Sequence, residues 1–201
     1  MRLGIYGGSF DPVHYGHLLL AECCREQANL DEVWFVPAAT PPHKQPGRLA
    51  SPAARIEMLQ LAIGGHAAFR VSSLEIDRGG VSYTVDTLAA VREARPDDDR
   101  FFLMGADSLA DLPTWREPQR VCQLATPLVV CRPGSPRPDL SVLSELMEAD
   151  EIARVERSLV DMPQIGLSST ELRERASAGR SLRFRTPRAV EAYIEAQRLY
   201  R

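Results

Sequence analysis

The residues best placed to do chemistry lie together in Gly7-Gly8-Ser9-Phe10-Asp11-Pro12-Val13-His14-Tyr15-Gly16-His17, between a short apolar run and the first helical pattern. Glycines permit close backbone approach, and a helix amino end offers unsatisfied N–H groups and a positive dipole end to an anion. His14 and His17, three residues apart, can both face such an anion. They would donate to phosphate oxygens, including those that gain charge during phosphoryl transfer. The same residues also read as ordinary turn chemistry with two histidines that cap or pack, and, less well, as a zinc pair lacking a third ligand nearby. Residue types leave these readings open, with a phosphate clamp ahead of the others.

Further along the chain, Pro41-Pro42-His43-Lys44 puts a lysine in a Pro-rich loop, suited to a mobile clamp on a polyphosphate or simply to the surface. Ser82-Tyr83-Thr84 opens a helical pattern, where Thr84 caps or the backbone N–H groups meet a carboxylate, with Asp86 able to hold polar ligand groups. Trp115 follows Pro113 and either stacks on a flat ring or packs in the core. Gly105-Ala106-Asp107 ends a strand, where the acid contacts a ribose or caps a helix. Ser168-Ser169-Thr170 precedes Glu171 and Arg173, giving hydroxyls, N–H groups and a cation to a triphosphate, or again only a cap. Arg132, after a strand, reaches a nucleotide or lies on the surface, and Asp97-Asp98-Asp99 reads as a solvated turn on the opposite edge of the sheet. Cys23, Cys24, Cys122 and Cys131 show no CxxC spacing and are assigned packing.

The elements that must position these groups follow from periodicity. Strands are expected over residues 3–6, 33–36, 101–105 and 127–131, with an extended stretch at 69–76 and a last strand near 158–162. Helices are expected over 17–27 (Leu18, Ala21 and Cys24 on one face), 52–63 (Ile56, Leu59 and Ile63), 83–94, 168–178 and 187–199. Residues 140–147 are weakly helical. This alternation predicts an α/β chain: a Rossmann-like open parallel sheet with helices on both faces, as one domain over 1–201 with a helical segment from about 166. With 201 residues and 44% apolar content the chain can bury a core, and 24 basic against 27 acidic residues, a net charge of −3, argue against a nucleic-acid or membrane coat. The absence of a long apolar run and of a leader-like opening makes a cytoplasmic location the expectation.

GGSFDPVHYGH resembles the signature of the nucleotidylyltransferase superfamily, in which an HxGH motif, here His14-Tyr15-Gly16-His17, binds nucleotide phosphates. The PPHK loop, RIEML (55–59), SYTVDTL (82–88), GADSL (105–109), the following LPTW and LSSTELR (167–173) are similar, in order and spacing, to bacterial nicotinate-nucleotide adenylyltransferases, with Leu172 where isoleucine is usual.

The resemblance implies adenylyl transfer from ATP to nicotinate mononucleotide. His14, His17, Lys44 and Arg173 would act on phosphates, and Gly7, Gly8, Ser9, Phe10, Gly16, Gly105, Asp107, Ser168, Ser169 and Thr170 would join them around ATP. Ser9, Lys44, Tyr83, Thr84, Asp86, Trp115 and Arg132 would hold the acceptor. Mg²⁺ would travel with ATP rather than on a metal motif of the chain. Rival readings are a transferase using nicotinamide mononucleotide or pantetheine phosphate and a nucleotide-binding regulator without turnover. The partners expected are small molecules, with a homo-oligomer left open.

Overall fold

Short, β-rich apolar runs between helical patterns build the strands β1 (Arg2–Gly8), β2 (Glu32–Pro37), β3 (Phe69–Val71), β4 (Asp99–Gly105), β5 (Thr126–Cys131) and β6 (Val160–Asp161). In this computed structural model, which describes residues 1–41, 49–131, 134 and 136–201, they form one parallel sheet in the order β3-β2-β1-β4-β5-β6. The strand order reverses between β1 and β4. That is the switch point outside whose carboxyl ends an open α/β sheet leaves a crevice for a ligand. Gly8 ends one of these strands and Gly105 the other.

Alternating side chains of each strand feed two cores, as a buried parallel sheet requires. Tyr6, Leu103 and Leu128 point to the face covered by α1 (Tyr15–Gln27), α2 (Pro52–Ile63), α8 (Ser169–Ser177) and α9 (Arg188–Ala196). Ile5, Phe102, Met104 and Val129 point to the face covered by α4 (Thr84–Ala94), α5 (Ala106–Asp111), α6 (Pro118–Leu124) and α7 (Ala149–Arg157). Rossmann-like layering with helices on both faces is thus observed, and no helix among the described residues is long and apolar enough to cross a membrane.

Several local expectations are corrected. Residues 69–76 are not one extended stretch: the strand stops at Val71 and Leu74–Arg78 turn as a short helix, α3, whose Glu75 is buried against Thr87. Residues 140–147 give only a 3-10 turn, Leu140–Leu143, while the polar stretch after it forms α7, with Glu148 and Glu151 capping its start. In α1 the buried positions are Gly16, Leu20, Ala21 and Cys24, and Leu18 is only half-buried. In α2 they are Ala54, Arg55, Met58 and Leu59 in place of Ile56 and Ile63. Asp98 is not solvated either, being buried between the amino terminus at 3.0 Å and Arg95 at 2.7 Å.

Candidate active site

Beyond Gly8 the chain turns through Phe10, whose backbone is left-handed (φ 47°) and whose ring is buried against Tyr6, Phe35 and His17. Only the backbone of Phe10 can therefore face a ligand. A cis Asp11–Pro12 peptide follows, and the chain enters α1 with extended His14 as N-cap. His17, at the third helical position, uses Nδ1 to accept the backbone N–H of His14 at 3.2 Å. A neutral imidazole that accepts on Nδ1 carries its proton on Nε2, so His17 presents a donor on its other edge. The two rings stack with centroids 3.7 Å apart.

His14 is buried, and among the described residues its Nδ1 has no hydrogen-bond partner. Burial pushes its pKa down to about 4, outweighing its backbone hydrogen bond and the nearby Glu171 charge. It is thus a neutral imidazole whose Nδ1 is unmet among the described residues, the state in which such a group gains most from a ligand. Gly16 is required by this arrangement, since a Cβ there would lie 3.0 Å from Cε1 and Nδ1 of the His14 ring.

A second helix amino end meets the same loop. Ser168 caps α8 by accepting the Glu171 N–H at 3.1 Å. Ser169 Oγ donates to the carbonyl of Pro12 at 2.9 Å, and Arg173 Nη1 donates to that of Asp11 at 2.7 Å while Nη2 reaches Thr170 Oγ1 at 3.1 Å. The first turns of α1 and α8 therefore converge on residues 11–14 and bring two positive dipole ends, Arg173 and both histidines to one place. This joins sequence segments more than 150 positions apart.

Across the switch point a separate cavity of about 560 Å³ opens, lined by Ser82, Tyr83, Thr84, Ser108, Trp115 and Arg116 among others. Its floor begins at α4. Tyr83, not Thr84, is the N-cap, and among the described residues its side chain makes no capping hydrogen bond. Ser82 Oγ instead accepts the Ala39 N–H at 2.9 Å, tying the exit of β2 to the entry of α4. Trp115 is half-buried and set edge-on to Phe102 at 5.9 Å, leaving it neither a core residue nor a surface one. Asp107 is exposed in the first turn of α5, and Asp86 lies 3.8 Å from Arg116. Lys44 and Arg132 lie outside the described residues.

Sequence reasoning passed over Arg116, whose guanidinium stands 4.8 Å above the Tyr83 ring and lines the cavity. It also passed over Arg55, which is buried and donates to the carbonyls of Ser9 (3.1 Å), Ala38 (2.7 Å) and Ala50 (3.2 Å), clamping the loop after β1 to the exit of β2. Its signal was an arginine beside the apolar stripe of α2. Among the described residues no three His, Cys, Asp or Glu side chains gather as they would to hold a metal ion.

The family model described as cytidylyltransferase-like matches residues 5–175. A Thermus thermophilus protein named "Probable nicotinate-nucleotide adenylyltransferase" is 47% identical over 201 residues, covering 100% of both chains. A Rhodopirellula baltica protein of the same name is 42% identical over 199 residues, 99% of this chain and 93% of its own. The fold is also similar to that of Plasmodium falciparum nicotinic acid mononucleotide adenylyltransferase complexed with NaAD, with a TM-score of 0.79 at 21% identity over 99% of this chain and 97% of the other.

Proposed function

The chain belongs to the cytidylyltransferase-like family and, within it, to the nicotinate-nucleotide adenylyltransferases, and from that membership we infer that it transfers the adenylyl group of ATP to nicotinate mononucleotide. The products are nicotinate adenine dinucleotide and pyrophosphate, a step of NAD biosynthesis. The observation that carries the reading on physical grounds is the convergence of the first turns of α1 and α8 around His14, beside a distinct cavity with a half-buried tryptophan. One site suits a polyphosphate and the other a flat ring.

The 5′-phosphate of nicotinate mononucleotide attacks the α-phosphorus of ATP in line: a new P–O bond forms as the bond to the β-phosphate oxygen breaks, and pyrophosphate leaves with the bonding electron pair. No covalent enzyme intermediate is needed, so catalysis is positioning and charge stabilisation. His17 Nε2–H and the neutral His14 ring donate to phosphate oxygens. Arg173, held by the Asp11 carbonyl and Thr170, faces the leaving group, and we assign Lys44 to the same pyrophosphate. The N–H groups at the start of α4 receive the nicotinate carboxylate, Trp115 stacks on the pyridine ring, and Gly105 and Asp107 border the adenosine. Mg²⁺ enters as part of the substrate, on the triphosphate. We place the reaction in the cytoplasm, with small molecules as its ligands and neither nucleic acid nor membrane required.

The test is to incubate the protein with Mg²⁺-ATP and nicotinate mononucleotide and to quantify both products. Equimolar nicotinate adenine dinucleotide and pyrophosphate are expected. ATP consumption without the dinucleotide would overturn the assignment.

A further inference from the structure

Asp11 is fully buried beneath the phosphate loop, and the mechanism above assigns its side chain nothing. Its Oδ1 accepts two hydrogen bonds, from the Tyr200 hydroxyl at 2.6 Å and from the Ala50 N–H at 3.1 Å. Its Oδ2 has no hydrogen-bond partner among the described residues and stands 3.8 Å from Arg173 Nη1. That same guanidinium nitrogen donates to the carbonyl of Asp11. The side chain of Asp11 therefore faces Arg173 with one oxygen only because the other is held elsewhere.

What holds it comes from the far end of the chain, 189 positions away. After α9 the backbone passes through two left-handed residues that are not glycine, Arg198 (φ 50°) and Tyr200 (φ 66°). Such conformations are sparsely populated and persist where surrounding structure enforces them. Here the N–H groups of Arg198 and Leu199 return to Glu195 and Ile194, and Leu199 and Tyr200 pack on the core beside α9. The result aims the phenol at Asp11. Burial, with the adjacent Asp11 charge, pushes the Tyr200 pKa upward, which keeps the phenol protonated as a donor.

We propose that Tyr200 is a positioning residue for the triphosphate: by fixing the Asp11 carboxylate it sets the orientation of Arg173 and pins Ala50 to the phosphate loop. Ala50 is gripped from both sides, its N–H by Asp11 and its carbonyl by Arg55. Without the hydroxyl only the Ala50 N–H still holds Oδ1, and the carboxylate turns toward Arg173 and draws the guanidinium into a closed pair, away from phosphate oxygens. The proposal rests on the reading of this site as an ATP site, and its consequence is selective. ATP handling should suffer, while the acceptor cavity at α4 keeps all its contacts.

The experiment measures KM for ATP and for nicotinate mononucleotide in wild type, Tyr200→Phe, Arg173→Ala and the double variant, with ATP dissociation constants from equilibrium titration in each. Tyr200→Phe is expected to weaken ATP binding about tenfold, leave KM for nicotinate mononucleotide unchanged, and add nothing when Arg173 is already alanine. An unchanged ATP constant, a fall in turnover with both KM values intact, or full additivity with Arg173→Ala would each overturn the proposal. Should Tyr200→Phe fail to fold, Asp11→Asn removes at nearly constant volume the charge that would capture Arg173, and it must keep ATP binding within about twofold of wild type; a tenfold loss there would overturn the proposal. If wild type binds ATP but makes no dinucleotide, the assigned acceptor is wrong, and the titrations still decide the role of Tyr200.

Discussion

Replacing Gly16 with alanine should uncouple stability from activity. The added Cβ would lie 3.0 Å from two atoms of the His14 ring, where ordinary contact begins near 3.4 Å, so the ring must retreat by about 0.4 Å. It has little room to do so, being buried and stacked on His17 at 3.7 Å. Alanine in the first turn of α1 meanwhile gains roughly 0.5–1 kcal/mol of helix propensity over glycine, which offsets much of the contact cost. Displacements of about 1 Å at a catalytic group can cost on the order of a hundredfold, so a shift of about 0.4 Å corresponds to about sixfold, or roughly 1.1 kcal/mol of transition-state stabilisation. The assay is continuous pyrophosphate release at saturating substrates, with thermal unfolding on the same preparation. A variant within about 2 °C of the wild-type Tm but about six times slower is expected. Activity within twofold of wild type would refute the argument that ring placement limits the reaction.

The other predictions concern groups whose environment the structure defines. Because the folded-state pKa of His14 is lowered from 6.5 to about 4, its contribution to stability is intact above 6.5 and is lost as the pH falls toward 4. Wild type should therefore lose about 3 kcal/mol more than His14→Gln between pH 7 and pH 4 in chemical denaturation; equal losses would show that His14 is not desolvated. Arg55→Met takes this donor from three carbonyls, one in a buried and two in part-buried hydrogen bonds, and should cost about 3 kcal/mol, a Tm drop of roughly 6–12 °C by scanning calorimetry, whereas an unshifted Tm would mean that the clamp is idle. Trp115→Ala should raise KM for nicotinate mononucleotide roughly three- to tenfold with KM for ATP unmoved, and Trp115→Phe should recover most of it; an ATP-side effect would relocate the ring site.

The turn and helix start over residues 7–17 were legible in the sequence because their chemistry is local. Glycines, a proline and two histidines within eleven residues specify a turn, a helix start and donors without reference to the rest of the chain. The strands flanking the switch point were legible for a similar reason: doubly buried parallel strands are short apolar runs. What escaped depends on contacts between distant segments. Arg55 meets its three carbonyls only when residues 9, 38 and 50 come together around it, and Asp98 reads as one of three acids in a turn until the amino terminus and Arg95 close on it. Helix α3 was hidden because Leu74-Glu75-Ile76-Asp77 alternates with period two as well as it turns, and tertiary contact from Glu75 to Thr87 decides between them. Helix α7 carries only one fully buried residue, Val155, so its pattern gave little apolar signal, and its start is marked instead by the Glu148–Glu151 cap. The capping reading of Thr84 does not hold because Thr84 is itself the first residue of α4, after Tyr83 as N-cap.

The central claim is that the histidine-bearing helix start is the phosphate clamp of a nicotinate-specific adenylyltransferase. Its most direct test is pyrophosphate release from Mg²⁺-ATP with nicotinate mononucleotide, nicotinamide mononucleotide or pantetheine phosphate as acceptor, in wild type and in His17→Ala. A clear preference for the nicotinate acceptor, with turnover reduced about 10²- to 10³-fold by loss of the His17 donor, is the predicted result. Equal use of the amide acceptor would contradict the carboxylate reading of the α4 cavity, and undiminished turnover in His17→Ala would contradict the clamp itself.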